Sequence, residues 1–271
     1  MIKQAIIPLA GLGTRLLPLT SVFAKELLPI NGKPGIEYII EECIDAGIKE
    51  IIFIISKRKK VIKKYFYNDK FFKKIIKRKK NKRLINEYKK ITKFKKMIKF
   101  VYQKNPLGTG DAVLKTKKLI KSNFFLMLLP DDLIIKKNCS KDMIAIHNKK
   151  KCSIMASMKV DKKSVNRWGI YSIHSKFDKN NFYISDVIEK PEINEAPSNN
   201  AVIGRYILTK KIFNKLKTQK KGKGGEIHIT DSIRRLIKDG NKFIGHKFKG
   251  KYLDCGTMDG YIHSSLEISK L

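Results

Sequence analysis

Two adjacent carboxylates, Asp131 and Asp132, end the apolar run "FFLMLLPDD". Side by side at a strand end, such a pair suits a divalent cation and the phosphates that it bridges, because hard cations take oxygen ligands. The stretch "AIIPLAGLGTRLLPLT", residues 5–20, points the same way by setting two glycines, a threonine and an arginine directly after another apolar run. Glycine permits a tight turn and lets backbone N–H groups approach an anion that a Cβ would keep away. A nucleotide phosphate is the guest that such a loop would hold. The common fingerprints fit badly: Leu16 stands where the dinucleotide pattern needs a third glycine, and no Gly-Lys-Ser/Thr follows. Arg15, Lys25 in "AKELLP" and Lys190 in "IEKP" stand apart from the many other cations, because each lies in an otherwise apolar or glycine-bearing stretch. Taken singly, each feature has a plainer reading: a strand-to-loop turn, a turn with a helix cap, a solvated side chain.

Other chemistries have thin support. The five histidines show no metal spacing, and Cys43, Cys139, Cys152 and Cys255 are scattered with no Cys-x-x-Cys pair, so reduced core thiols are expected. No Gly-x-Ser-x-Gly elbow is present. The formal net charge of +36 invites a nucleic-acid reading, yet 52 of the 60 basic residues are Lys and only 8 are Arg. Specific phosphate and base recognition favours the guanidinium fork. The densest stretch, Lys57 to Lys99, holds 21 basic residues against two acidic ones, and the rest of the chain still carries 39 against 22. An excess spread through the whole chain, with heavy use of Ile, Asn, Phe and Tyr, reads as compositional drift. Nonspecific polyanion binding is its expected side effect, with no specific nucleic-acid partner.

The elements that must position these residues follow from periodicity. Short apolar runs, several rich in β-branched residues, at 2–9, 50–56, 98–103 and 124–130 alternate with helical patterns, the signature of a parallel sheet covered by helices. "GIEYIIEECIDAG" (35–47) places Ile36, Ile39, Ile40, Cys43 and Ile44 on one helical face and stops at a glycine. Helical spacing persists from Lys57 to Lys99, with Ile62, Phe66 and Ile76 among the lysines. After Cys152 come four strand-like segments and helices near 209–217 and 229–239. No linker or repeat divides the 271 residues, so one domain is expected: a Rossmann-like α/β fold with a mixed, mostly parallel central sheet flanked by helices. Its nucleotide-binding half would span about 1–135, and a second half about 136–271. In such a sheet a ligand sits outside the carboxyl ends of the strands, where the Ala10–Arg15 loop, "QKNPLGTGDA" and "PDD" all fall. No apolar run approaches 18 residues and the N-terminus has no signal-peptide profile, so a cytoplasmic protein without membrane contact is expected.

Eight segments, "PLAGLGTRLLP", "KELLPINGKP", "GTGDAVL", "LLPDD", "IEKP", "IGRYIL", "GEIHITD" and "LDCGTMDGY", resemble in that order the bacterial UTP–glucose-1-phosphate uridylyltransferases, across nearly the entire chain. The resemblance implies a sugar nucleotidyltransferase that is Mg2+-dependent, binds sugar in its second half, about 136–271, and makes UDP-glucose and pyrophosphate from UTP and glucose 1-phosphate. It implies that Ala10, Gly11, Gly13 and Thr14 hold base and phosphates, with Arg15 toward the leaving pyrophosphate and Lys25 at the transferred phosphate. Gln103 and Gly108 match uracil contacts. Asp131 matches the magnesium aspartate and Asp254 a second metal-side carboxylate. Gly169, Glu189 and Gly204 match sugar-binding positions, and Lys190 would grip the phosphate of glucose 1-phosphate. The chain departs from the pattern at Ala24, which replaces a proline, and at Gly110-Asp111-Ala112, which replaces Gly-His-Ala. It ends at Leu271, short of the tail that such enzymes often use in subunit contacts; a homo-oligomer is expected, with the subunit number open. Two rivals remain: a glucose-1-phosphate thymidylyltransferase using dTTP, whose usual Gly-Gly and "KQLLP" differ from Ala10-Gly11 and Glu26 here, and a nonspecific nucleic-acid-binding basic protein.

Overall fold

The fold is seen in a computed structural model that describes residues 1–67, 69–79 and 81–271. Strand β1 (Gln4–Pro8) is followed by a small ribbon, β2 (Pro29–Ile30) and β3 (Lys33–Pro34), and by helix α1 (Gly35–Asp45). Next, β4 (Glu50–Ile55) leads through helices α2 (Lys60–Tyr67), α3 (Asp69–Lys79) and α4 (Lys82–Met97) into β5 (Ile98–Tyr102). Then come α5 (Thr109–Leu114), β6 (Phe124–Leu128), β7 (Asp132–Ile135) and α6 (Cys139–Lys150). The second half supplies β8 (Ser153–Lys159), β9 (Gly169–Lys176), β10 (Asn181–Glu189) and β11 (Asn200–Thr209). It closes with α7 (Ile212–Lys217), α8 (Ile229–Lys238), β12 (Phe243–Lys247), β13 (Lys251–Asp254) and α9 (Met258–Ser269).

Nine strands form one sheet in the order β5-β4-β1-β6-β11-β8-β12-β10-β9, running through both halves of the chain. The first four are parallel to one another, as the alternating pattern requires. The expected predominance of parallel pairing ends there. β11 runs antiparallel to β6 and β8, and β10 antiparallel to β12 and β9, so along the nine-strand order four neighbouring pairs are parallel and four antiparallel. The reason is connectivity: β9 and β10 are joined by a short turn, which permits only antiparallel pairing. At the far end β9 also meets β11 through Ile170 and Ala201.

Because side chains alternate along a strand, β4 serves both layers. Ile51, Phe53 and Ile55 face the layer built by α1, α2, α4, α6 and α9, whereas Ile52 and Ile54 face α5, α7 and α8. Helix α1 buries Ile36, Ile39, Ile40 and Cys43 as its spacing predicts. Gly47, at φ 83°, ends it by letting Ile48 N–H reach the Cys43 carbonyl at 3.0 Å and its own N–H reach Ile44 at 2.9 Å. The lysine-rich excursion is helical as expected where it is described, and residues 68 and 80 lie outside the described set. Its Ile62, Phe66 and Phe94 join the core, Ile76 is half-buried, and most of its cations face solvent. All four cysteines are buried and unpaired.

Sequence periodicity does not find β7, β12, β13, α6 or α9. The first and third of these make a separate antiparallel ribbon, and the two helices bury polar side chains (Ser140, His147, Ser264) that blur an apolar stripe. Yet α6 carries a constraint on the whole architecture. Ser140 N–H and Oγ donate to Glu42 Oε1 at 3.3 and 2.5 Å, and the same carboxylate receives Arg205 of β11 in a bidentate pair at 2.8–3.0 Å. Burial works against the Arg205 charge, but Glu42 outweighs it and the guanidinium is shifted upward. Removing one member of such a pair strands a buried charge. Glu42→Ala should therefore cost about 3–5 kcal/mol, seen as a melting temperature lower by on the order of 10 °C; calorimetry at neutral pH checks it, and an unchanged transition would refute the clamp.

Candidate active site

The carboxyl ends of β1, β5 and β6 open onto one cleft of about 710 Å³. Of the residues singled out above, Ala10, Gly11, Gly13, Thr14, Arg15, Lys25, Gln103, Gly108, Asp131, Gly169, Glu189, Lys190 and Asp254 all line it. Gly204 does not. It lies behind the wall, where its N–H donates to Asp132 Oδ2 at 2.9 Å, and a Cβ there would fall 2.3 Å from that oxygen and 2.6 Å from Leu129 Cβ. Its smallness lets the aspartate turn seat against β11.

The loop after β1 is built to receive an anion. Gly13 adopts φ 73°, and its carbonyl is held by Thr20 Oγ1 at 2.8 Å. The N–H groups of Gly11, Leu12 and Gly13 donate to no described residue, and the space above Gly11 is open. Unspent amide donors on a concave backbone attract phosphate oxygens.

The turn after β6 is clamped from behind. Arg205 donates to the carbonyls of Asp132 at 2.6 Å, Leu129 at 3.3 Å and Gly204 at 3.0 Å, which leaves Asp131 directed into the cleft. There Lys25 Nζ lies 2.6 Å from Asp131 Oδ2 and Arg15 Nη2 lies 3.5 Å from it. Burial would raise the Asp131 carboxyl, but Lys25 and then Arg15 prevail and hold it below its ordinary range. Burial likewise opposes the Lys25 charge, and Asp131 more than compensates, so the ammonium is shifted up. Both therefore stand charged at neutral pH. Asp132 behaves oppositely. It accepts from Gly204 and from Tyr252 Oη at 2.7 Å, and burial with the neighbouring Asp131 charge pushes it up to about 6.

The ribbon of β7 and β13 sets Asp254 opposite Asp132, which carries it across the sequence to the side of Asp131. A Cβ on Gly256 would fall 2.5 Å from Arg15 Nη2, 2.9 Å from Asp131 Oδ2 and 3.0 Å from Asp254 Oδ1, so only glycine lets the guanidinium and the two carboxylates approach one another there. No group of three or more His, Cys, Asp or Glu that could hold a metal ion exists among the described residues. Two carboxylates with open positions are the donor set that Mg2+ uses with substrate phosphates, because it dehydrates reluctantly and keeps several waters. The residues present fit such an ion.

Across the cleft, β9 and β10 bring Gly169 opposite Glu189, and a Cβ on Gly169 would crowd Glu189 Oε2 at 3.2 Å. Lys190 follows in a left-handed backbone, φ 47°, unusual for a side chain of this size. Two bonds hold it there: its N–H donates to the Trp168 carbonyl at 2.9 Å, and Lys223 Nζ donates to its own carbonyl at 2.8 Å. Arg167, Trp168, Glu226, His228 and Tyr252 also line the cleft and were not read from sequence. Glu226 and His228 lie within the segment "GEIHITD", and Arg167 and Trp168 stand beside Gly169, which are the signals that could have found them. Gly108 and Gly110 are small because Ile227, on the segment before α8, packs on them: Cβ atoms there would lie 2.7 and 2.8 Å from its carbonyl oxygen.

Asp132 yields a test. A carboxyl raised from 3.8 to about 6 on folding binds its proton more tightly when folded, so its burial costs nothing at low pH and destabilises progressively as pH rises through 4 to 6. Asp132→Asn keeps an acceptor for Gly204 N–H and can donate to Tyr252. Unfolding measured without nucleotide or divalent ions should show the variant gaining stability relative to wild type between pH 4 and 7. A difference that is flat across that window would place the titration elsewhere.

The chain matches the nucleotidyl transferase family over residues 4–270. It is 38% identical over 267 residues to UTP–glucose-1-phosphate uridylyltransferase 2 of Staphylococcus saprophyticus, covering 98% of this chain and 91% of the relative. Among solved structures, a UDP-glucose pyrophosphorylase complexed with UDP-glucose superposes with a TM-score of 0.88 at 37% identity, over 100% of this chain and 99% of the other. A UTP-bound UGPase from Acinetobacter baumannii gives a TM-score of 0.88 at 31% identity, over 99% and 93% of the two chains. The ordered motifs, the single cleft that gathers them and the near full-length agreement have one meaning: the chain belongs to the nucleotidyl transferase family, alongside its UTP–glucose-1-phosphate uridylyltransferases.

Proposed function

We propose that this protein transfers a uridylyl group from UTP to glucose 1-phosphate, releasing pyrophosphate and forming UDP-glucose. The observation that carries the reading is the shared cleft: free loop amides, the Lys25–Asp131 pair and Lys190 face the same volume from different parts of the chain. A phosphate oxygen of glucose 1-phosphate attacks the α-phosphorus of UTP in line, and the bond to the bridging oxygen of the pyrophosphate breaks. No protein nucleophile is needed, so positioning and electrostatics supply the rate. The amides of Gly11, Leu12 and Gly13 cradle the triphosphate beside Ala10 and Thr14, Arg15 faces the leaving pyrophosphate, and Lys25 neutralises charge on the transferred phosphate. Lys190 grips the sugar phosphate, while Glu189, free of close hydrogen-bond donors beside Gly169, accepts from sugar hydroxyls. Asp131 and Asp254 would hold Mg2+, which neutralises phosphate charge when bound.

Uniform binding and transition-state stabilisation leave different kinetic marks. Lys190→Ala should chiefly raise the KM for glucose 1-phosphate, and Asp131→Asn should lower kcat by roughly 10²-fold or more, the scale of one strong electrostatic stabiliser. Pyrophosphate release with UTP, dTTP, CTP and ATP against several sugar 1-phosphates, in variants shown to unfold cooperatively, measures both. Near-wild-type kinetics for Asp131→Asn, or faster turnover with dTTP than with UTP, would overturn the assignment.

A further inference from the structure

Asp111, in "GTGDAV", is 6% exposed and does not line the cleft, and the mechanism above does not use it. It stands directly behind a residue that does line the cleft. Its Oδ2 accepts from Gln103 Nε2 at 2.7 Å, and its Oδ1 pairs with Lys115 Nζ at 2.9 Å. The second amide hydrogen of Gln103 points toward the Gly108 carbonyl at 3.4 Å, and its backbone N–H donates to Ile55 at 2.9 Å. Gln103 is 3% exposed, so its amide has little freedom to find other partners.

This arrangement decides which way the amide reads. A carboxylate bonded to a lysine and a backbone carbonyl are both acceptors, so each must face the NH2 side. Turning the amide over would set three oxygens against one another. The remaining atom, Oε1, receives no hydrogen bond from any described residue, and neither does any described residue accept from Gly108 N–H. The cleft wall therefore offers one fixed acceptor and one free donor. Uracil presents an N3–H donor flanked by carbonyl acceptors, which complements this pair. Cytosine presents a lone pair at N3 beside an amino group, which opposes it.

We propose that Asp111 is a positioning residue that fixes the Gln103 amide with its oxygen toward the cleft, and so makes the site select a base carrying N–H at its pairing position over one carrying a lone pair. The proposal rests on the nucleotide reading above. It concerns a position at which this chain departs from the Gly-His-Ala of the pattern that it resembles, so the device belongs to this chain. Sites that leave a buried polar group facing the wrong partner reject the analogue strongly.

The test compares UTP and CTP, by calorimetric binding and by kcat/KM, in wild type and Asp111→Asn. An asparagine can donate as well as accept, so it releases Gln103 to present either end. The UTP-to-CTP ratio should fall at least 10-fold in the variant, and in a Gln103→Met background Asp111→Asn should leave the ratio unchanged. Wild-type protein supplies a measurement independent of any variant's folding: the side-chain amide protons of Gln103, assigned in wild type by their proximity to Gly108 and Asp111, should be protected from exchange. A ratio that Asp111→Asn leaves intact while UTP still binds, a ratio that it shifts equally without Gln103, or rapid exchange of those amide protons would overturn the proposal. Failure of wild type to bind any nucleotide would instead sink the uridylyl-transfer reading, and this proposal with it.

Discussion

Everything in the cleft depends on one buried guanidinium. Arg205 spends its donors on Glu42 of α1 and on three carbonyls of β11 and of the turn after β6, and it is fully enclosed. A buried ion pair is poor evidence for net stability, because desolvation offsets the Coulombic gain. Its value here is positional. By binding the backbone of the Leu129–Asp132 turn from behind, Arg205 leaves the Asp131 side chain only the cleft to enter. Glu42 in turn receives the amide of Ser140 in the first turn of α6, so helix, strand and turn share a single anchor.

From that anchor the two faces of the cleft follow. β11 is the strand at which parallel order gives way to antiparallel order, and it sits beside β6, which bears the aspartate turn. The second half of the chain therefore folds back over the carboxyl ends of the first, placing Glu189 and Lys190 across from the glycine loop. Glycines occur where backbones or charged groups meet: Gly204 against Asp132, Gly108 and Gly110 against Ile227, Gly256 where Arg15 meets two aspartates. Lys190, like Lys136 and Lys151 away from the cleft, is a long side chain at positive φ, and hydrogen bonds at both its N–H and its carbonyl hold it there. Strain of this kind persists only where the surroundings over-determine it.

Charge in this protein works at two levels. The net excess of +36 is borne mostly by exposed lysines and sets no geometry. A few cations are enclosed with carboxylates and do set it. Lys59, 7% exposed, is bound to Glu26 at 2.6 Å beneath the cleft; burial lowers its pKa despite that partner. Lys25 lies against Asp131 in the cleft itself. Low dielectric magnifies these contacts, whereas water and salt screen the surface ones.

The amino-acid sequence by itself determined the parts whose signals are local. Short apolar runs marked β1, β4, β5 and β6, the spacing of Ile36, Ile39, Ile40 and Cys43 marked α1 with Gly47 beyond its end, and ordered motifs identified the family and nearly the whole lining of the cleft. Such features are written within one strand, one helix or one turn, where neighbours along the chain are also neighbours in space. Only the tertiary structure decided that Gly204 supports Asp132 from behind the cleft, that half of the sheet is antiparallel, that Asp254 crosses to Asp131 on a ribbon, and that Asp111 turns the amide of Gln103. Glu42 and Arg205 are separated by 163 positions, and no periodicity relates them. Which donor meets which acceptor is settled when the sheet closes and burial removes water as the alternative partner, and that happens between segments rather than within them.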